Sequence, residues 1–317
     1  MQNECFSYGS CLHKYTFRIY CWSIQFDIFL SLRLDFKPMK KFLPIIAAVF
    51  LFAACDKIEG PYSENPTGNG NDTGAVRRVL IEDFTGQKCG NCPRAAETIE
   101  NLKNIYGDRI VSYGIHAGFF AEPNTAGTKF LTDYRTPDGD DIDQFFGNSA
   151  AGLPNGLVNR SQQGGSYIQS YSNWGTLVGQ MLNAEPDARI VISNTYNATT
   201  RVVNTTVNTS ILNDLSGNYK LCVVVTEDSI VSWQKDYELS PQDIEFYTHR
   251  HVYRAAMNTT WGTAVGSGSL LEGDTFSGDF SMTLPAGWND AQCHIVAYLY
   301  NANSKEVIQV EEKEIIP

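Results

Sequence analysis

The chain has 317 residues and a formal charge of −11 at pH 7, with 43% hydrophobic and 19% charged side chains. At about 150 residues per domain, that length accommodates two folded domains, and the composition excludes disordered, collagen-like and multi-spanning membrane chains. The acidic balance, with no cluster of Lys and Arg, excludes a basic face for nucleic acid or for an anionic membrane surface.

The first element is a targeting segment set back from the start. Met39-Lys40-Lys41 precedes an apolar run from Phe42 to Ala54, and Phe52-Ala53-Ala54-Cys55 closes it. A basic start, a short apolar run and a small-residue junction are the parts of a secretory signal. The run is shorter than the roughly 20 apolar residues that span a bilayer. The junction resembles those of bacterial lipoproteins, which are cleaved before a cysteine that becomes lipidated, here Cys55. This predicts an upstream extension over 1–38 and a lipoprotein signal over 39–54. Residues 55–76, with Asn65-Pro66-Thr67-Gly68-Asn69-Gly70-Asn71-Asp72, cannot bury a core and form the expected flexible tether. Past residue 54 the chain carries a net −14, so the acidity belongs to the exported part.

Folded structure is predicted from Arg77. Val79 to Phe84 is an apolar run of strand length, followed by Cys89-Gly90-Asn91-Cys92-Pro93. Ala95, Ala96, Ile99, Leu102, Ile105 and Tyr106 then recur at helical spacing, and Ile110 to His116 reads as a second strand. Pro93 suits a first helical turn, where its missing N–H costs nothing. A thiolate at a helix N-terminus is stabilised by free N–H groups and the helix dipole, and Lys88 adds positive charge. Cys89 is therefore the expected exposed nucleophile and Cys92 the shielded resolving thiol. A permanent disulfide that staples the helix start is the competing reading of the same pair. A zinc site needs four ligands, and no second CxxC follows.

Strand, CxxC at a helix start, helix and strand together resemble the thioredoxin superfamily. The resemblance implies that Asp83, six residues before Cys89, is a buried acid that relays the resolving thiol's proton. It also implies that Leu153-Pro154 is a cis proline facing the pair, ahead of a strand at Gly156 to Arg160. Lys88 where such enzymes carry Trp, and Gly-Asn inside the CxxC, depart from the oxidoreductase pattern. A short helix over Asp140 to Phe146 and a last helix from about Tyr167 to Leu182 complete residues 77–185.

More narrowly, five segments resemble the Omp28 family of outer-membrane lipoproteins. They are Glu82-Asp83-Phe84-Thr85-Gly86, the CxxC, Gly114-Ile115-His116-Ala117-Gly118, Pro154 to Arg160, and His249-Arg250-His251-Val252. The resemblance implies a thioredoxin-like α/β domain joined to a β-rich domain on a lipid-anchored protein of the cell envelope and outer membrane. It implies no particular reaction.

Residues 186–317 are expected to form an all-β, immunoglobulin-like sandwich. Short β-rich runs at 189–192, 202–211, 219–225, 277–284, 294–299 and 307–310 are separated by Asn, Asp and Gly turns. Cys222 and Cys293 both fall on these runs and are a possible disulfide in an oxidising compartment. His116 ends the second strand close to the predicted cysteine face, where it could tune the pair, and reads more readily as a hydrogen-bonded loop histidine. His249 and His251, two apart, would share one face of a strand and could start a metal site, although without carboxylates at a matching spacing a structural or surface role is the stronger reading. Asp138 to Asp143 reads as an acidic helix start. No cofactor or metal is expected.

Two functions remain. One is thiol–disulfide exchange on exported polypeptides; the other is a non-catalytic surface binding or adhesion lipoprotein with a structural CxxC disulfide. The partners are accordingly exported polypeptides or surface ligands, with the membrane reached through Cys55 and no nucleic acid.

Overall fold

The computed structural model describes residues 74–316. The expected upstream extension, signal and lipidated Cys55, and all but the end of the tether, lie outside the described residues.

Strand β1 (Val79–Thr85) is buried on both faces and pairs in parallel with the equally buried β2 (Ile110–His116), as its unbroken apolar sequence requires. Helix α1 (Cys92–Tyr106) joins them, with Pro93 in its first turn. It stops at Gly107, which adopts φ 61° and donates its N–H to the Lys103 carbonyl. Helix α2 (Pro137–Phe146) starts at Thr136, whose side chain accepts the Gly139 N–H at 3.0 Å, and ends on left-handed Gly147. A single turn, α3 (Asn148–Ala151), leads to β3 (Asn155–Val158), which pairs antiparallel with the other edge of β1. Helix α4 (Tyr171–Met181) returns over the sheet. Its Trp174, Leu177 and Val178 pack with Ile99 and Leu102 of α1 on Val79, Ile81 and Ile110.

The chain then runs through β4 (Ala188–Asn197), β5 (Val202–Ile211), β6 (Tyr219–Glu227), β7 (Ile230–Lys235), β8 (Asp243–His249) and β9 (Val252–Ala256). It ends with β10 (Thr263–Val265), β11 (Thr275–Thr283), β12 (Cys293–Asn301) and β13 (Val307–Glu314). One mixed sheet has the order β13-β12-β6-β9-β2-β1-β3, with β10 also on β6. The boundary expected between 185 and 186 lies between α4 and β4, yet this sheet takes strands from both sides of it. The join is β2 against β9, where Gly114 is in register with Val252 and donates to the His251 carbonyl at 2.9 Å. The protein is thus β-rich with helices on a shared mixed sheet, and not two separately closed folds.

A three-stranded sheet, β11-β5-β4, forms a second layer. Its inward residues Ile190, Ile192, Val203, Val207 and Ile211 pack on Leu221, Val223 and Val225 of β6 and on Ile295, Ala297 and Leu299 of β12. Alternation along β4 and β5 produces this layer, and each such side chain contributes roughly 1.5–3 kcal/mol on burial. The opposite faces of β6 and β12 carry Cys222, Val224, Val296, Tyr298 and Tyr300 into a core shared with Leu80, Phe84 and Tyr113.

At the centre of that shared core Arg160 pairs with Glu82 through two hydrogen bonds of 2.6 and 2.7 Å, both side chains being fully buried. Tyr113 donates to Glu82 at 2.7 Å and Arg160 donates to Tyr298 at 3.0 Å. The guanidinium also lies 5.1–5.8 Å from the ring centres of Phe146, Trp261, Tyr298 and Tyr300.

The possible Cys222–Cys293 bridge does not form; both are buried free thiols. Although β6 and β12 are neighbours, Cys222 is opposite Tyr298 and Cys293 opposite Glu227. The two side chains enter different cores, on opposite faces of the sheet.

Candidate functional site: a covered disulfide

The loop from β1 to α1 is held against residues 120–132. Gly86 packs so closely on the Phe120 backbone that a Cβ would sit 2.5 Å from its carbonyl carbon, which restricts the position to glycine. Lys88 donates its N–H to the Phe120 carbonyl at 3.0 Å, and the buried Gln87 side chain donates to the Thr132 carbonyl at 2.7 Å. Within this frame Cys89 and Cys92 form a disulfide with Cα atoms 5.4 Å apart.

The sequence predicted an exposed Cys89, but Cys89 and Cys92 are only 3% and 2% exposed. Helix α1 begins at Cys92, so Cys89 lies in the preceding turn, donating its N–H to Gly86. Lys88 points to the exposed Phe119 ring, 5.3 Å from its centre. Pro154 follows a cis peptide bond and precedes β3, whose Asn155 lies opposite Phe84 on β1.

Asp83 is buried beneath the first turn of α1. Its Oδ1 has no hydrogen-bond partner among the described residues, and burial raises its pKa to about 7. A cavity of about 40 Å³ brings Asp83 together with Cys92, His116, Gln234, Tyr247 and His249. A larger cleft of about 490 Å³ continues from Asp83 between α1 and β8, past Ile99, Ser112, Ile244 and Arg250.

His116 is not a hydrogen-bonded loop residue. It ends β2, is buried, and neither ring nitrogen has a partner among the described residues. Its ring lies 4.9 Å from Tyr134 and 5.6 Å from His249, centre to centre. Burial keeps His116 neutral well below its usual pKa and lowers His249 to about 4. His249 and His251 do not share a face, because β8 ends at His249 and His251 turns away at φ 48°. His251 instead meets Lys103 Nζ at 2.7 Å, and burial followed by that lysine's charge lowers it to about 3. Asp138 to Asp143 falls within α2. Among the described residues no cluster of His, Cys, Asp or Glu is arranged to hold a metal.

What covers the disulfide is the hairpin of β7 and β8, a two-stranded sheet outside the large one. Gln234 donates through Nε2 to the Cys89 carbonyl at 3.0 Å and the Gly86 carbonyl at 3.3 Å. Lys235 N–H donates to Gln87 O at 2.8 Å, and Tyr237 N–H to Gly90 O at 2.9 Å. The Tyr237 ring fills the space a side chain on residue 90 would need. Arg94 of α1 clamps the hairpin tip through Asp236 and Glu238, each at 2.7 Å. The sequence alone singles out none of the five hairpin residues Gln234 to Glu238. Their partners lie about 140 positions away, and no local pattern signals such docking.

Among known structures, HBP35 of Porphyromonas gingivalis is similar over 76% of this chain and 76% of its own, at 16% identity with a TM-score of 0.54. A domain of the outer membrane lipoprotein Omp28 from Porphyromonas gingivalis aligns over 42% of this chain and 90% of its own, at 17% identity with a TM-score of 0.27. No curated protein matches the sequence. Residues 142–317 match the family described as outer membrane protein Omp28. That match takes in more than half of the chain, including the covering hairpin and β9 to β13: the chain belongs to the Omp28 family of outer membrane proteins.

Proposed function

We propose that this protein is an Omp28-type envelope lipoprotein, anchored through a lipid on Cys55, whose Cys89–Cys92 pair exchanges disulfides with exported polypeptides. The observation that carries the reading is Asp83. A buried carboxyl without a hydrogen bond is costly, and a disulfide that only staples a helix has no use for one. Beside Cys92, with a pKa of about 7, it is suited to take a thiol proton and return it near neutral pH. Parallel β1 and β2, the CxxC at the start of α1, antiparallel β3 on the other edge of β1, and α4 beside α1 support a thioredoxin-like reading of residues 77–185.

In the exchange, the Cys89 thiolate attacks a partner disulfide and releases one partner thiolate, leaving a mixed disulfide. Asp83 accepts the Cys92 proton; the Cys92 thiolate attacks the Cys89 sulfur and the second partner thiolate leaves. The partner gains two electrons, and the Cys89–Cys92 bond re-forms. A reduced partner runs the same steps backwards.

The second reading, a binding lipoprotein with a structural disulfide, is favoured by the burial of both sulfurs. Trapping in the native envelope separates the two. Cys92→Ser should accumulate mixed disulfides on a non-reducing gel, and Cys89→Ser should remove them. No trapped partner, together with an equilibrium potential below the roughly −300 mV typical of structural disulfides, would establish the staple. The anchor is tested separately by intact mass, which should show a lipidated chain beginning at Cys55 and no membrane fractionation after Cys55→Ala.

A further inference from the structure

The hairpin tip does more than shield the sulfurs; it satisfies the row of carbonyls that flanks them. Gly86, Gln87, Cys89 and Gly90 present their oxygens to one side, and Gln234, Lys235 and Tyr237 supply the donors. Two of these donors are backbone N–H groups two residues apart, Lys235 at the end of β7 and Tyr237 in the turn that follows, and main-chain donors of this kind are available from any polypeptide that adopts the same bend. The side chains add a pattern: an acid at 236 and an acid at 238 for Arg94, and an aromatic ring between them over Gly90.

The cover is built so that it can leave. The hairpin shares no ladder with the large sheet, and left-handed Ser229 and His251 bound it at φ 58° and 48°. The rest of the hairpin is held separately, by the Tyr134 hydroxyl on Ser232 at 2.8 Å, by Lys129 on Asp243 at 3.0 Å and by Phe130 against Trp233. Releasing the tip therefore breaks the contacts around the CxxC and leaves the main sheet paired.

We propose that Gln234–Glu238 occupies, in cis, the surface on which the partner binds, and that the partner presents a turn-like segment with an acid–aromatic–acid pattern in its place. This rests on the exchange reading for its biological purpose. The partner's N–H groups take over the carbonyls of Gln87 and Gly90, its acids take Arg94, and its cysteine is brought onto Cys89. Without such a segment the disulfide stays closed to other thiols.

The test uses the full chain and a small dithiol. The reagent closes to its own disulfide, passing two electrons and two protons to the Cys89–Cys92 bond, which opens to two thiols. The rate is followed by alkylation and mass. Tyr237→Ala and Glu238→Gln alter side chains on the exposed side of the tip, and Asp236→Asn the buried one. Tyr237→Ala combined with Glu238→Gln should be reduced at least tenfold faster than the parent chain, at an unchanged equilibrium potential. A synthetic peptide of residues 232–240 added in trans should return that variant to the slow rate; the same peptide with both acids changed to Lys should not. An unchanged rate in both this variant and Asp236→Asn, or equal protection by the two peptides, overturns the proposal. Faster reduction without any trapped envelope partner would sink the exchange reading and leave Gln234–Glu238 a plain cover; a trapped partner without faster reduction would keep exchange and overturn the proposal.

Discussion

Glu82 and Asp83 are consecutive on β1, and their carboxyl groups serve opposite faces of one sheet. Glu82 is bound by Arg160 in the shared core, while Asp83 lies unpaired beside Cys92. Alternation along a strand makes this unavoidable, and it divides two adjacent acids between stability and chemistry.

Removing one partner of the Glu82–Arg160 pair should be severe. A buried ion left alone costs about 3–5 kcal/mol, so Glu82→Gln and Arg160→Met should each lower the urea midpoint strongly. The double apolar replacement Glu82→Leu with Arg160→Met should recover much of the loss. Equal destabilisation in single and double variants would contradict this account.

Asp83→Asn should stabilise the protein at neutral and alkaline pH. With its folded pKa raised from 3.8 to about 7, Asp83 contributes stability that is fully present below 3.8 and lost as pH rises through 7. Denaturant unfolding at pH 5 and pH 8 should show the Asn variant gaining on the parent at the higher pH. The same variant should resolve mixed disulfides more slowly.

Buried histidines act with the opposite sign. Folded pKa values below 6.5 at His116 and His249 contribute stability present above 6.5 and lost as pH falls, through about 4 in the case of His249. His116→Phe gives up no hydrogen bond seen in the structure and should lose less stability than the parent between pH 7 and pH 4. A steeper acid loss in that variant would refute the assignment.

Cys222 and Cys293 should be silent in the folded protein. Burial pushes their thiols up to about 11 and about 12, so at pH 7 neither is ionised or accessible. Peptide mapping after alkylation should find both unmodified in the native protein and both modified in denaturant. A Cys222–Cys293 crosslinked peptide would show that the two strands sit differently.

The parts of the site that local sequence determines were legible in it. An unbroken apolar β1, Pro93 in a first turn, helical spacing to Tyr106 and a thiol pair three apart specify that unit by themselves. Strands β4 and β5 were visible because each has one buried and one exposed face. The β7–β8 hairpin was not read as an element at all. Ile230 to Lys235 and Asp243 to His249 lack clean alternation, with Val231 and Phe246 exposed, because the hairpin is ordered by docking on the CxxC loop and not by a core of its own. The exposure expected for Cys89 failed for the same reason.

Chain order gives the cover one more consequence. Gln234 follows Cys89 by 145 residues, so a chain emerging from its N-terminal end presents both thiols well before the segment that will enclose them has been made or exported. Any oxidant that first installs the bond meets an open loop, whereas a later reactant must displace Gln234 to Glu238 before it reaches a sulfur. Making the bond during folding and exchanging it afterwards are therefore different tasks, and only the second needs a partner shaped for the cover.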